Sequence, residues 1–270
     1  KYKITNLKII GEINGTDLKM IREMVGSNST DGKLSVLDLS EAKIIEGGNN
    51  GYYTSNDVIG NYAFEGCSGL TSLTLPTGIT SIGYGAFIGC SGLTSLTLPA
   101  GITKIGSSAF SGCSGLTSLT LPAGITEIDD KAFDGCSGLT SLTLPDGITS
   151  IGSRAFKYCS GLTSLTLPAG ITKIGDEAFN GCRGLTSLTL PDGITSIGDK
   201  AFKGCSGLTS IYVYAEKVPK IGGNVFEGID AKKCTLYVPM GTYDDYWLSE
   251  FGDYFENIVE FEATGIDKTT

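Results

Sequence analysis

Leucine and isoleucine recur along this chain in a pattern that begins again every 23 residues. One unit, residues 93–115, reads LTSLTLPAGITKIGSSAFSGCSG. Within it the segment SLTL at residues 95–98 alternates small polar and apolar positions, which is the period of a strand with one buried face. Pro99 cannot donate to a sheet and ends the strand. Each unit therefore predicts one short strand.

The second half of the unit supplies further apolar anchors before the next strand begins. Ile102 and Ile105 are spaced to point inward, and Ala109 and Phe110 carry a large side chain into the core on a short helical turn. Cys113 closes the unit as a small buried residue. Because one unit cannot bury its apolar face alone, its stability has to come from stacking on its neighbours.

Phenylalanine and cysteine mark the same two positions in seven consecutive units, and we predict that both form ladders through the core. The phenylalanines are Phe64, Phe87, Phe110, Phe133, Phe156, Phe179 and Phe202. The cysteines are Cys67, Cys90, Cys113, Cys136, Cys159, Cys182 and Cys205. Neighbouring thiols with parallel bonds, about 4.8 Å apart, suit neither a disulfide nor a tetrahedral metal site. We therefore expect reduced, buried thiols; Cys234 lies outside this spacing and is expected to be partly exposed.

A stack of such units is predicted to be a right-handed solenoid, an α/β repeat with a parallel sheet on one face and short helical turns opposite. Strands are expected to start near residues 34, 70, 93, 116, 139, 162, 185, 208 and 234. With neighbouring strands about 4.8 Å apart, the sheet would be about 38 Å long. We assign residues 34–239 to the solenoid, with an insertion near 44–58.

The remaining residues are expected to cap both ends of the stack. Residues 1–33 predict a strand and then a helix that Thr16 and Asp17 cap. Residues 240–262 predict a second helix starting at Thr242. The aromatic residues expected to close the stack there are Trp247, Phe251 and Phe255. Residues 263–270 have no apolar pattern and are assigned to a linker or truncated tail.

The repeat resembles the BspA-like branch of leucine-rich repeats. The pattern L-x-x-L-x-L-P-x-x-I-x-x-I-G-x-x-A-F-x-x-C-x-x-L occurs six times between Leu70 and Leu208, and weaker copies extend the resemblance over residues 34–239. The segment LKIIGEINGTDLKMIREM is similar to the N-terminal cap of such proteins from gut bacteria, and LYVPMGTYDDYW to their C-terminal closure. The resemblance implies export, display on a bacterial surface and adhesion to host matrix proteins or other cells.

Composition narrows the functions that remain. Among 270 residues there are 20 basic and 29 acidic ones, giving a net charge of −9, and there is no histidine. The acidic balance argues against nucleic-acid binding. The lack of histidine excludes Ser-His-Asp and Cys-His nucleophiles and histidine-bound zinc. No apolar run approaches a membrane span. We expect no catalysis, cofactor or metal, and a monomer.

Two columns of small polar residues face solvent along the predicted sheet. The serine column is Ser72, Ser95, Ser118, Ser141, Ser164, Ser187 and Ser210. The threonine column is Thr74, Thr97, Thr120, Thr143, Thr166 and Thr189. Flat arrays of this kind occur in ice-binding proteins, but one column lacks the methyl groups of paired threonines. The favoured interpretation is a small, water-facing surface that suits β-strands.

Aromatic residues are the candidates for partner binding. Tyr212 and Tyr237 replace the threonine column in the last two units, with Tyr214 and Trp247 close by in the chain. Stacked exposed tyrosines suit a sugar ring or a protein contact, and they also suit packing beneath the C-terminal cap. Tyr52, Tyr53 and Tyr62 form a second candidate cluster at the insertion, because inserted loops often carry function.

Three hypotheses for function follow. The first is an adhesion module outside the cell or on its surface, with its export signal or lipid anchor removed, that binds a protein or glycan. The second is a structural spacer within a larger surface protein, and the third is ice binding. Binding lost on removal of Tyr212 and Tyr237 would distinguish the first from the others.

Overall fold

Each repeat forms one turn of a parallel β-solenoid with about nine turns and little helix. The computed structural model describes residues 4–26, 32–49 and 51–262. The expected tail at 263–270 lies outside the described residues. No helix within those ranges is long and apolar enough to cross a membrane.

The N-terminal segment comprises β1 (Asn6–Ile13), α1 (Gly15–Val25) and β2 (Val36–Ile44), with β1 parallel to β2. Helix α1 is capped by Asn14, two residues before the expected Thr16. The Asn14 side-chain oxygen accepts a hydrogen bond from the Thr16 N–H at 2.8 Å, and the Asn14 N–H donates to the Asp17 carboxylate at 2.9 Å. Thr16 and Asp17 therefore lie inside the helix, and Asp17 completes a capping box.

The insertion forms an antiparallel hairpin of β3 (Gly47–Asn49) and β4 (Tyr52–Thr54). Sixteen short strands follow. They are β5 (Val58–Ile59), β6 (Ser72–Thr74), β7 (Ser81–Ile82), β8 (Ser95–Thr97), β9 (Lys104–Ile105), β10 (Ser118–Thr120), β11 (Glu127–Ile128), β12 (Ser141–Thr143), β13 (Ser150–Ile151), β14 (Ser164–Thr166), β15 (Lys173–Ile174), β16 (Ser187–Leu190), β17 (Ser196–Ile197), β18 (Ser210–Val213), β19 (Lys220–Ile221) and β20 (Thr235–Pro239).

The even-numbered strands β6 to β20 form the predicted sheet, and the odd-numbered strands β5 to β19 form a second parallel ladder that the sequence analysis missed. The first sheet is divided between β12 and β14, and the second between β9 and β11. The second ladder arises at the Lys104-Ile105 position of each unit, where two residues are too few to show alternation. The helical turns expected on the face opposite the first sheet are single turns with i→i+3 hydrogen bonds, such as Cys113 N–H to Phe110 O at 3.1 Å.

The core contains the phenylalanine and cysteine ladders, and both are buried in every unit. Neighbouring phenylalanine rings from Phe64 to Phe202 are stacked with centroids 5.1–5.4 Å apart and interplanar angles of 1–9°. The stack continues to Phe226. Each cysteine from Cys90 to Cys205 donates its S–H to the phenylalanine carbonyl of the preceding turn, at 3.1–3.2 Å.

The C-terminal segment consists of α2 (Tyr243–Trp247) and β21 (Asn257–Phe261), which is parallel to β20. Two expectations here were wrong. Thr242 precedes α2 but makes no side-chain cap, because its hydroxyl donates to the Pro239 carbonyl at 2.7 Å. Trp247 is 46% exposed; Tyr246 is the buried aromatic residue of the helix, and its hydroxyl donates to the Ala215 carbonyl at 2.6 Å.

Cys234 is also buried, contrary to expectation. Its backbone N–H donates to the Asp230 carbonyl at 2.9 Å, and the turn closed by this bond carries the thiol into the core just before β20. Burial raises the pKa of Cys234 to about 11 and that of Cys205 to about 12. All eight cysteines are free and buried.

We therefore expect no thiol to react with Ellman's reagent at pH 8 while the protein is folded, because all eight sulfur atoms are buried and inaccessible to the reagent. In a chemical denaturant all eight thiols should react. The control is a Ser95→Cys variant, whose added thiol lies at an exposed strand position and should react in the native state. Rapid native labelling of the unmodified protein would contradict the buried ladder.

Candidate binding surface

The largest departure from the repeat on the outer face of the first sheet is aromatic. In the last two units the threonine column ends in Tyr212 and Tyr237, which are register partners on β18 and β20. Their rings stack with centroids 4.4 Å apart and an interplanar angle of 6°. Both side chains are half-buried. Burial, followed by the neighbouring Tyr237, raises the pKa of Tyr212, so the Tyr212 phenol stays neutral at physiological pH.

Phe261 joins these tyrosines and was missed by the sequence analysis. Its ring meets Tyr212 edge-on at 5.9 Å and Tyr214 edge-on at 5.1 Å. Phe261 reaches this position because β21 adds to the sheet, where Val259 pairs with Tyr237 and is 45% exposed. The β-branched and aromatic residues Ile258, Val259 and Phe261 were the available signal for this strand. We call Tyr212, Tyr214, Tyr237 and Phe261 the C-terminal aromatic surface.

Trp247 was expected to lie with these tyrosines, but the ring contact found for it joins it to Tyr243, at 6.2 Å and 9°. Tyr243 is itself 39% exposed. The start of α2 is held against β21 by Glu260, whose carboxylate accepts hydrogen bonds from the Gly241 and Tyr243 N–H groups at 2.9 and 3.0 Å. The structure thus forms a second exposed aromatic pair beside the last strand.

The two tyrosines of the insertion have different surroundings. Tyr52 is half-buried and ties the hairpin to α1, because its hydroxyl accepts a hydrogen bond from the Arg22 guanidinium at 2.8 Å. Lys19 and Arg22 both lie 5.8 Å from the centre of its ring. Tyr53, which pairs with Gly48, is 66% exposed. Only Tyr53 is therefore placed to contact a partner without disturbing the N-terminal segment.

The serine and threonine columns are exposed over most of the first sheet, and their register is regular. The threonine that precedes each strand donates its hydroxyl to the equivalent carbonyl of the preceding turn, as Thr140 does to Thr117 at 3.1 Å. The hydroxyls of the threonines that precede the strands therefore act mainly in holding the turns together. Near-identical turns present the same groups repeatedly, which offers little to distinguish one partner from another.

Charged side chains are concentrated on the edge that follows the second ladder. Glu177 accepts hydrogen bonds from Arg154, at 2.7 Å, and from Lys157, and these two bonds hold the pKa of its carboxyl at about 2. Lys157 also lies 4.9 Å from the centre of the Tyr158 ring. Because these charges are paired with one another, they stabilise the edge locally and add little net field. Over the described ranges, no group of three or more Cys, Asp or Glu residues is arranged to hold a metal ion.

The sequence matches a known family over most of its length. The profile of the BspA type leucine rich repeat region matches residues 53–159 and 126–250, in six copies. A comparison with curated protein sequences gave no significant match.

Several solved structures are similar to this chain. A leucine-rich repeat protein from Bacteroides ovatus has a TM-score of 0.56 and 24% identity, over 88% of this chain and 66% of its own length. The T. pallidum leucine-rich repeat protein TpLRR has a TM-score of 0.56 and 31% identity, over 63% of this chain and 80% of its own. A leucine rich cell surface protein from Faecalibacterium prausnitzii has a TM-score of 0.43 and 21% identity, over 82% and 86%. The chain thus spans just under two thirds of the Bacteroides ovatus protein.

Proposed function

Because the chain belongs to the family of BspA-type leucine-rich repeat proteins, we propose that it is a non-catalytic adhesion module displayed outside a bacterial cell. It binds a protein or a glycan there as a monomer, without a cofactor or metal. The observation that carries the proposal is the C-terminal aromatic surface. A regular repeat puts threonine at these positions, and the chain instead has two stacked tyrosines supported by Tyr214 and Phe261.

Physical chemistry supports recognition at this surface. Tyrosine presents a large, rigid, amphipathic ring with few rotatable bonds, so ordering it on binding costs little entropy, and it is enriched at binding hot spots. The stacking of Tyr212 on Tyr237 orders both rings before a partner arrives. The surrounding turns give a rigid support, because each one is hydrogen-bonded to the turns on either side. A preorganised surface of this kind favours affinity by reducing the cost of association.

Replacing Tyr212 and Tyr237 together with threonine is expected to weaken binding at least about tenfold, the usual loss when hot-spot aromatic residues are removed. Threonine is the residue of the repeat at this column, so the sheet should be retained. Binding would be measured by biolayer interferometry against an array of extracellular-matrix proteins and glycans. The matched control is Thr143→Ala with Thr166→Ala, in the same column but away from the aromatic residues.

The outcome also separates a second candidate function. The near-identity of the exposed serine and threonine columns favours a structural spacer, which presents no distinctive surface. Absence of saturable binding to the whole array would support the spacer and contradict adhesion. Saturable binding that survives loss of both tyrosines would retain adhesion but place its site elsewhere, with exposed Tyr53 the first residue to test.

We also propose that the terminal segments, 1–33 and 240–262, close the solenoid. At the N-terminal end α1 buries Leu18 and Ile21, which are at most 1% exposed. At the C-terminal end Tyr246 and Phe251 are fully buried, and β21 covers the edge of β20. Such segments would shield the apolar interior that a repeat stack otherwise leaves open at its ends.

A further inference from the structure

We propose that the chain has a second binding site, a groove along its second ladder that takes an extended, neutral glycan chain. The site lies on a different face from the C-terminal aromatic surface and goes beyond the function proposed above. It is carried by three observations: two adjoining cavities, an exposed tyrosine pair at one end, and a half-buried carboxylate between the cavities that accepts no hydrogen bond within the described residues.

The groove consists of cavities that share lining residues. One has a volume of about 320 Å³ and is lined by Asn61, Tyr84 and Lys104 among others. The next has a volume of about 520 Å³ and continues as far as Gly198. Both are lined by Ser107 and Asp129, so they meet there. The resulting space is long, shallow and open, which suits a chain-like ligand better than a small compact one.

Backbone forms the floor of this groove, because most turns have glycine after the second-ladder strand. At Gly152, for example, an added Cβ would lie 2.7 Å from the Asp130 nitrogen of the preceding turn. Neighbouring turns are about 4.8 Å apart, close to the length of one hexose unit in an extended chain. A glycan lying along the ladder would therefore meet one turn per sugar, with serine, lysine and carboxylate side chains on both sides.

Asp129 is the one departure from glycine in this floor between Gly83 and Gly198. Its carboxylate is half-buried, and in the part of the chain that the structure describes it makes no hydrogen bond or close ion pair, although the positive charge of Lys104 acts on it. Burial first, and then the charge of Glu127, raise its pKa. A carboxylate held in a groove with no hydrogen-bond donor of its own is a strong acceptor for the hydroxyl groups of a sugar.

At the N-terminal end of the same groove, Tyr84 lines the cavity and its ring contacts Tyr62 beside it. The Tyr62 and Tyr84 rings are 5.2 Å apart at 80°, and the side chains are 39% and 44% exposed. This edge-to-face contact covers one face of one ring only. The remaining ring surface is available to stack on the apolar C–H face of a sugar. Tyr84 and Asp129 line the same cavity two turns apart, so one short oligosaccharide can reach both.

The charges that line the groove determine which class of glycan it can bind. The groove has four carboxylates, from Glu127, Asp129, Asp130 and Asp176, against two lysines, Lys104 and Lys173. The whole chain has a net charge of −9. Sulfated or uronic-acid-rich chains would be repelled by this field. A neutral glycan avoids that repulsion and still offers hydroxyl donors to the carboxylates.

The test uses two variants that restore residues of the repeat itself and so should fold. Asp129→Gly gives the floor the glycine of the other turns, and Tyr84→Ser gives the serine found at Ser107 and Ser153. The control is Asp146→Ala, which removes an exposed carboxylate at a position where the repeats on either side have alanine, Ala123 and Ala169. Binding of neutral cello-, xylo- and manno-oligosaccharides, and of heparin, would be measured by isothermal titration calorimetry, with circular dichroism confirming each fold.

We expect saturable binding of at least one neutral oligosaccharide, weakened about tenfold or more by Asp129→Gly and by Tyr84→Ser, since each removes one principal contact. Asp146→Ala should bind as the unmodified protein does. The proposal is overturned if no neutral oligosaccharide binds, or if both groove variants bind as tightly as the unmodified protein. It is also overturned if the protein binds heparin more tightly than any neutral oligosaccharide. Loss of binding only in the Tyr212/Tyr237 variant would overturn the groove while supporting the C-terminal aromatic surface.

Discussion

Replacing Phe133 with alanine is expected to lower the free energy of unfolding by about 3–5 kcal/mol, the range for truncating a fully buried phenylalanine. Phe133 has no exposed surface, and its ring lies between Phe110, at 5.4 Å, and Phe156, at 5.3 Å. Alanine would remove two stacking contacts and leave a cavity in the middle of the array. Hydrogen-bonded turns on both sides would limit how far the cavity can collapse.

Chemical unfolding followed by circular dichroism measures this loss. Ser118→Ala is the control, because Ser118 is exposed on the first sheet and its substitution should change stability by less than about 0.5 kcal/mol. A broadened or two-step transition in Phe133→Ala would show that the turns on either side unfold separately, as repeat arrays can. Small and equal losses in both variants would contradict the inward placement of the phenylalanine ladder.

Replacing Gly138 with alanine is the second large effect, a loss of about 2–4 kcal/mol. A Cβ at this position would lie 2.3 Å from the carbonyl oxygen of Ser114 and 3.3 Å from that of Leu116. Both atoms are backbone of the preceding turn, so they cannot move aside as a flexible side chain can. The turns would have to separate locally, weakening the hydrogen bonds between them.

Gly147→Ala is the matched control for this prediction. Gly147 is exposed, and the atom nearest to an added Cβ is the Ile125 oxygen at 3.6 Å, an ordinary contact. Alanine there reduces the freedom of the unfolded chain, so stability should stay level or rise by up to about 1 kcal/mol. The same denaturant titration compares the two variants. Equal stability of both would show that the spacing of neighbouring turns can absorb an added methyl group.

Part of the candidate sites was accessible from sequence and part was not. Alignment of the repeat was sufficient to place Tyr212 beside Tyr237, because equivalent positions in successive turns become neighbours on the sheet. Phe261 lies outside the repeat and joins them only through the pairing of β20 with β21. The groove around Asp129 was also hidden, because its walls come from a second ladder with strands of only two residues.

The ends of the molecule show the same division. Trp247 was expected to be buried and Cys234 partly exposed, and both expectations were wrong. Tyr246 is buried in place of Trp247, and its hydroxyl donates a hydrogen bond to the Ala215 carbonyl, 31 residues away in the chain. Neither Trp247 nor Cys234 belongs to a column of residues that repeats along the solenoid. Their burial is therefore decided by contacts for which a single sequence holds no repeated signal.

The sequence by itself determined the solenoid, the position of each repeat strand in the first sheet, and the buried phenylalanine and cysteine ladders. It did so because stacking gives equivalent positions in successive turns the same environment. The same apolar pattern therefore recurs in every unit, and each repeat confirms the prediction made from the others. Only the tertiary structure decided the second ladder, the strand that completes the C-terminal aromatic surface and the cavities that meet at Asp129. Those features depend on how turns of unequal sequence lie against one another, and on side chains brought together from distant parts of the chain.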